Sequence, residues 1–236
     1  MPNETKLLAV LIDADNTSPQ WAEAIFEEIA SLGEASVRRI YGDFSSNYLK
    51  GWAEKLATLA LVPHQQFANT IGKNSSDIAL VIDAMDILHT GRFDGFVLIS
   101  SDSDFTRLAS RIREQGVDVY GIGQQKTPAA FRNACKRFIY VENLMGDAAP
   151  ADKTAAKPVK RSKPEDARSL VLRAFDALGD EEWVSLSRLG QQITTAKPDF
   201  DPRNYGKKKL SDLIQSLKMV ELRQGDNNQL QVRRLD

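Results

Sequence analysis

The chain has 236 residues and a mass of 26.2 kDa, enough for one or two domains. Its balance of 42% hydrophobic and 27% charged residues is that of a globular protein, which excludes a collagen-like, disulfide-stapled or wholly disordered chain. Net charge is only −1, yet residues 1–147 carry 14 Lys and Arg against 19 Asp and Glu, while 148–236 carry 17 against 13.

The longest apolar run near the start, residues 7–12, is far too short for a signal core or a membrane span. Cys135 is the only cysteine, so no intrachain disulfide and no Cys-built zinc site can form. His64 and His89 are too few for a zinc site of histidines, and each is expected at the surface or satisfied in place. A soluble, cytoplasmic chain with no membrane association is the expectation.

Residues 1–145 alternate apolar strands with amphipathic helices. The run 7–12 is continuous in Leu, Ala, Val and Ile, as in a strand buried on both faces of a parallel sheet. It ends in the turn Asp13-Ala14-Asp15-Asn16-Thr17. Ser18-Pro19 then opens a helix, whose stripe is Trp21, Ile25, Ile29 and Leu32 and whose stop is Gly33. A short strand is expected at 37–41, a helix near 46–59 and a strand at 61–66. A polar loop over 68–76 leads to a helix starting at Asp77, with Ile78, Val81, Ile82, Met85 and Leu88 at helical spacing. On that wheel Asp83 and Asp86 fall away from the stripe, so both are expected in solvent. Residues 95–100 form another buried strand, 105–115 a helix closed by Gly116, and 117–122 a strand. A short helix over 128–135 and a strand over 138–141 complete the unit. Such alternation implies a parallel sheet flanked by helices.

Residues 146–164 lose all periodicity and collect Pro150, Pro158 and Pro164 with Ala and Lys, the composition of a linker. Lys153, Lys157, Lys160, Arg161 and Lys163 there face only Asp152, and serve either as a solvated tether or as one that attracts a polyanion. From residue 165 to 236 the pattern is a helix over 167–178, a short strand at 183–184, a short helix over 187–193, a helix of about 15 residues after Pro202, and a hairpin across 220–232. Three helices and a two-stranded wing describe a small winged helix-turn-helix.

The chemistry-bearing residues of the first unit are carboxylates. In an open α/β sheet, ligands bind outside the carboxyl ends of the strands. Asp13 ends the first strand, Asp102 and Asp104 follow the strand ending at Ser100, and Asp77 opens a helix leaving the same edge. Taken singly, each is explained by turn or capping chemistry, for which Asp77 and Asp104 suit well, and Asp15 and Asp43 are read as turn residues. Taken together, Asp13, Asp77 and Asp102 crowd like charges, which a fold tolerates best around a divalent cation. Oxygen donors without His or Cys select Mg²⁺ or Mn²⁺. Such an ion would act on a phosphate ester, so phosphodiester hydrolysis is the implied reaction. Lys73, Asn74, Ser75 and Ser76 precede Asp77 and either touch a phosphate or cap the helix.

The stretches Ile12-Asp13-Ala14-Asp15-Asn16, Lys73…Ser76-Asp77…Asp83 and Ser100-Ser101-Asp102-Ser103-Asp104-Phe105 resemble the NYN domain of the PIN-like nuclease superfamily. The likeness spans about residues 6–145. It implies a Rossmann-like sheet and a divalent-metal acidic cluster with Asp13, Asp77 and Asp102 as ligands. Asp104 would be a further acidic member, and Asn16 would orient a ligand or the substrate. Asp83 falls on a frequent acidic position of the family, which argues for a role there while its helix face argues for an outer one. Ser101 stands where relatives often have Gly, and it joins Lys73, Asn74 and Ser76 as a candidate substrate contact. Residues 183–190 and 198–214 are similar to the OST-HTH (LOTUS) domain, over about 165–235, which implies binding of RNA or of a protein partner. Arg203, Lys207, Lys208 and Lys209 flank a helix start there and suit phosphate. Tyr205 could stack on a base, although its spacing favours core packing. The charge over 165–236 is balanced, 12 against 12, so a nucleic-acid face must be a local patch.

The expectation is therefore a metal-dependent endoribonuclease with a second, RNA-holding unit. A catalytically silent RNA-binding adaptor is the non-enzymatic alternative. Residues 13–17 also fit the DxDxT pattern of haloacid-dehalogenase-like phosphatases, though the order of the other motifs fits that chemistry poorly. A homodimer is left open.

Overall fold

The computed structural model describes residues 5–66, 75–144, 161–179, 181–225 and 228–235. The chain divides into two compact units, Met1–Ala148 and Ala149–Asp236. Among the described residues no helix is long and apolar enough to cross a membrane.

The first unit is a six-stranded parallel sheet flanked by helices. Its strands are β1 (Leu7–Asp13), β2 (Glu34–Gly42), β3 (Val62–Gln65), β4 (Gly95–Ile99), β5 (Asp118–Gly123) and β6 (Arg137–Tyr140). They lie in the order β3-β2-β1-β4-β5-β6. The chain steps outward from β1 to β2 and β3, then returns to place β4 on the other flank of β1. This is the topological switch point at which loops diverge and leave a crevice above the strand ends.

Side chains alternate between two cores. Leu8, Val10, Ile12 and Ile40 point to one face, where Ala22, Ile25 and Ile29 of α1 (Ala22–Leu32) cover them. Ala9, Leu11 and Tyr41 point to the other, under α3 (Ser75–His89) and α4 (Thr106–Glu114). Asp13 continues the second series, two residues beyond Leu11.

Three expectations for this unit change. The helix near 46–59 is broken into a 3-10 turn over Asn47–Leu49, the four-residue α2 (Lys50–Ala53) and further turns ending at Ala60, whose φ of 52° is left-handed. Buried Trp52 dictates the path, because its indole N–H donates to the Thr17 carbonyl at 2.7 Å. The stripe of α3 is rotated in part: Leu80, Ala84 and Ile87 are buried and Val81, Met85 and Leu88 pack beside them as expected, whereas Ile78 and Ile82 are 61% and 57% exposed. Asp83, expected in solvent, turns inward and is held by the Arg39 guanidinium and the Tyr41 hydroxyl, with the His64 ring beside Tyr41. A helix apolar on most of its circumference offers no single stripe, so the polar anchor on β2 decides which face packs. Asp86 is exposed, as expected.

The second unit holds α6 (Arg168–Leu178), α7 (Leu186–Ala196) and α8 (Leu210–Ser216) over a three-stranded antiparallel sheet. Its strands are β7 (Val184–Ser185), β8 (Val220–Gln224) and β9 (Leu230–Arg234), in the order β7-β9-β8. The remaining helix of the first unit, α5 (Ala129–Ala134), precedes β6. The wing thus has three strands rather than two. The expected long helix after Pro202 is divided: a 3-10 turn over Pro202–Tyr205 ends in Gly206 at φ 72°, a left-handed value that glycine adopts without strain. Tyr205 is buried in the core with Phe200, Leu213 and Ile214.

The rotated α3 is directly testable. Leu80→Ala is expected to cost about 2–4 kcal/mol in urea unfolding, and Ile82→Ala less than about 0.5 kcal/mol. Equal losses would restore the stripe read from the sequence.

Candidate functional site

The carboxyl edge of the sheet gathers its acidic groups around the β1–β4 junction. Asp13 closes β1 almost fully buried. The register Ile12↔Ile99 sets it beside Ser100, which follows β4. The Ser100 hydroxyl donates to Asp13 Oδ2 at 2.6 Å and accepts the Asp102 backbone N–H at 3.0 Å. Asn16 holds the same carboxylate from the loop side, its Nδ2 donating to Oδ2 at 2.9 Å and its backbone N–H to Oδ1 at 3.2 Å. Burial raises the Asp13 pKa, and the hydrogen bonds from Ser100 and Asn16 oppose that rise.

Asp102 ends the β4 loop. Its Oδ1 accepts the Asp104 backbone N–H at 2.9 Å and caps the turn Ser103–Phe105 ahead of α4. The capping role expected of Asp104 therefore belongs to Asp102, and Asp104 lies inside the turn. Asp77 is the third residue of α3 rather than its first, because the helix begins at Ser75. Its carboxyl is pushed up to about 6, first by burial and then by the charges of Asp13, Asp102, Asp104 and Asp15. The sequence-distant carboxylates thus share one electrostatic environment.

Asn16 and Ser100 hold Asp13 from two sides, and Ser100 was not singled out in the sequence. Its signal was available: it ends a buried strand two residues ahead of Asp102. Ser76 Oγ donates to Asp15 Oδ2 at 2.8 Å, tying α3 to the β1 loop. The Ser101 hydroxyl accepts the Gln124 N–H at 2.9 Å and so pins the loop after β5. Lys73 and Asn74 lie outside the described residues. In the second unit Arg203 is engaged by Asp201, to which its Nε and Nη2 donate at 3.0 and 2.7 Å, so it is no free phosphate contact. Lys207, Lys208 and Lys209 have no side-chain ion pair among the described residues. They sit in the turn ahead of α8, which has only seven residues.

The donors at the edge are all hard oxygens, which suits Mg²⁺ or Mn²⁺. Among the described residues, however, no three of the acidic side chains converge in the geometry of a metal cage. The crowding is electrostatic rather than a finished coordination shell, and it has the sign that draws a cation.

An α/β sheet with an acidic crevice at its switch point defines a class of phosphate-directed folds, and comparison with known families narrows it. The chain belongs to the NYN domain family, whose model matches residues 7–142. NYN domains are part of the PIN-like nuclease superfamily. The OST-HTH/LOTUS domain model matches residues 159–232. No curated protein matches the chain. Among solved structures, a protein of unknown function from Vibrio parahaemolyticus is 18% identical with a TM-score of 0.49, over 59% of this chain and 95% of that one. An uncharacterized protein from Nitrosomonas europaea, solved by NMR, is 28% identical with a TM-score of 0.27, over 38% of this chain and 89% of that one.

The raised Asp77 pKa has a sign that can be checked. A carboxyl titrating near 6 in the fold and near 3.8 unfolded penalises the folded state once ionised. The penalty is full above about pH 6, fades as pH falls through that value, and vanishes below 3.8. Without divalent cations, Asp77→Asn is expected to stabilise the protein at pH 7.5 by about 1 kcal/mol, discounted for solvent screening. Thermal melts at pH 7.5 and 4.0 test this: the gap between variant and parent should close at the lower pH.

Proposed function

We propose that the chain is a divalent-metal-dependent ribonuclease that hydrolyses RNA phosphodiester bonds at the edge formed by Asp13, Asp77 and Asp102. The observation that carries the reading is the gathering of Asp13, Asp77 and Asp102 at one sheet edge, where burial first and then the charges of the other carboxylates push the Asp77 pKa up to about 6. A single charge placed there would relieve most of that repulsion. Asp13, Asp77 and Asp102 would hold the ion, with Asp104 and Asp15 adding to the field. A bound ion of this kind lowers the pKa of a water and stabilises charge on the scissile phosphate. The chain's own part is orientation. Ser100 and Asn16 fix the carboxylate of Asp13, and Ser100 also sets the backbone from which Asp102 projects. The Asp83 anchor to β2 sets how α3 lies on the sheet, and with it the place of Asp77. The phosphatase alternative is weaker, because the order of the remaining motifs along the chain fits that chemistry poorly.

In this reading the OST-HTH/LOTUS unit holds RNA through Lys207, Lys208 and Lys209. Two weak contacts on one chain raise affinity through effective concentration. A cytoplasmic location and a choice between Mg²⁺ and Mn²⁺ belong to the same proposal.

Cleavage of a single-stranded RNA is expected with Mg²⁺ or Mn²⁺ and not with EDTA. Asp102→Asn and Asp77→Asn should each lower turnover by about 100-fold or more in protein that keeps its circular dichroism. Stable RNA binding by the parent without turnover under any divalent ion would favour the silent adaptor instead. For the second unit, changing Lys207, Lys208 and Lys209 to alanine should reduce the slope of log affinity against log salt by about 2, at roughly 0.7 per phosphate contact on a single strand. An unchanged slope would move the RNA contact elsewhere.

A further inference from the structure

Tyr48 is 76% exposed, the most exposed of the large apolar side chains among the described residues. Single exposed apolar residues are common on protein surfaces. Tyr48 differs in being held out by a turn that is wired on every side. The Ser46 hydroxyl accepts the Tyr48 N–H at 3.2 Å, and the Ser46 carbonyl accepts the Leu49 N–H at 3.2 Å. Upstream, Asp43 Oδ1 accepts the Ser45 N–H at 3.1 Å and the Gln65 side-chain amide at 2.6 Å. Gln65 in turn accepts the Phe44 N–H at 2.9 Å.

The turn is also fastened to the acidic edge. Leu49, the next residue, is buried against Gly42. A Cβ built on Gly42 would lie 2.5 Å from Leu49 Cδ1, 3.2 Å from Ala14 Cβ and 3.5 Å from Asp15 Oδ1. A side chain at 42 would displace the Leu49 methyl, so glycine suits the close seating of Leu49 there. Three residues on, Trp52 hydrogen-bonds the Thr17 carbonyl. The loop after β2 is therefore locked onto residues 14–17, the segment that carries Asp15 and Asn16 and follows Asp13. Tyr48 stands on that rim. Its ring has no aromatic or cationic partner and its hydroxyl no hydrogen bond among the described residues.

The charge of the first unit narrows what such a ring would meet. With 14 cationic against 19 anionic residues over 1–147, the unit repels a phosphate backbone except where a cation intervenes. Stacking of a base on an aromatic face does not depend on that sign and accepts any base. The hydrogen-bonded backbone of the turn fixes where the Tyr48 side chain emerges, so less is left to order when a base settles on the ring.

We infer that Tyr48 is a stacking platform for a nucleobase of single-stranded RNA, on the β2 side of the acidic edge. It would hold a nucleotide flanking the scissile phosphate. The inference rests on the ribonuclease reading above, and its test is built to separate the two.

The test uses the full chain as parent, Tyr48→Ala, Tyr48→Phe and Tyr48→Trp. Steady-state cleavage is measured on a short single-stranded RNA, and binding on the same RNA carrying 2-aminopurine, whose fluorescence is quenched by stacking. Tyr48→Ala should raise KM by about 5- to 100-fold, with the loss falling on KM rather than kcat. Tyr48→Phe and Tyr48→Trp should restore it, and the melting temperature should not move. The quenching seen with the parent should shrink in Tyr48→Ala and return in Tyr48→Trp. Parent-like KM and quenching in Tyr48→Ala overturn the platform. If the parent never cleaves RNA, the ribonuclease reading fails, and the fluorescence alone decides: quenching lost in Tyr48→Ala upholds the platform, and unchanged quenching overturns it.

Discussion

A carboxylate buried at the end of a central strand is the constraint on which the rest of this edge depends. Asp13 cannot be left there without donors, since an unpaired buried charge is far more costly than a paired one. Ser100 from β4 and Asn16 from the following loop supply them. Each donor has a second consequence. Ser100 also receives the Asp102 N–H, so solvating Asp13 orients the next acidic residue. Asn16 folds its loop back over β1, which sets Asp15 toward Ser76 and α3.

The same constraint explains why the acidic groups face one another although the protein supplies few cations to separate them. Strand order puts β1 and β4 side by side, and their loops diverge at the switch point. Asp77 is delivered from above, on a helix whose roll is governed by the contact of Asp83 with Arg39 and Tyr41. Burial and then repulsion among these carboxylates disfavour the ionised edge, and the raised pKa of Asp77 reflects both. Sites of function commonly carry such local cost because the surrounding fold over-determines their geometry.

The second unit follows a different logic. Its core is built from ordinary apolar spacing, and several of its arginines are paired: Arg203 with Asp201, Arg188 with Glu181, and Arg233 with both Glu182 and Glu221. The three lysines of the turn 207–209 carry no side-chain ion pair among the described residues. In the first unit the distinctive surface feature is instead an aromatic ring, Tyr48, on a unit whose net charge is negative. A divided arrangement of this sort lets electrostatic attraction and base contact sit on separate parts of one chain.

Much of this was legible along the chain. Continuous apolar runs marked the buried strands at 7–12 and 95–100, Gly33 and Gly116 closed their helices, and Asp13, Asp77, Asp102 and Asp104 announced the acidic edge, because each of these signals is local in sequence. The roll of α3, the inward turn of Asp83, the two partners that the Ser100 hydroxyl takes, the pairing of Arg203 with Asp201 and the exposed ring of Tyr48 were not legible. A helix apolar on most sides can pack on several faces, and a hydroxyl or guanidinium takes whichever partner the fold brings within 3 Å. Those choices depend on residues distant in the chain, so only the packed structure could make them.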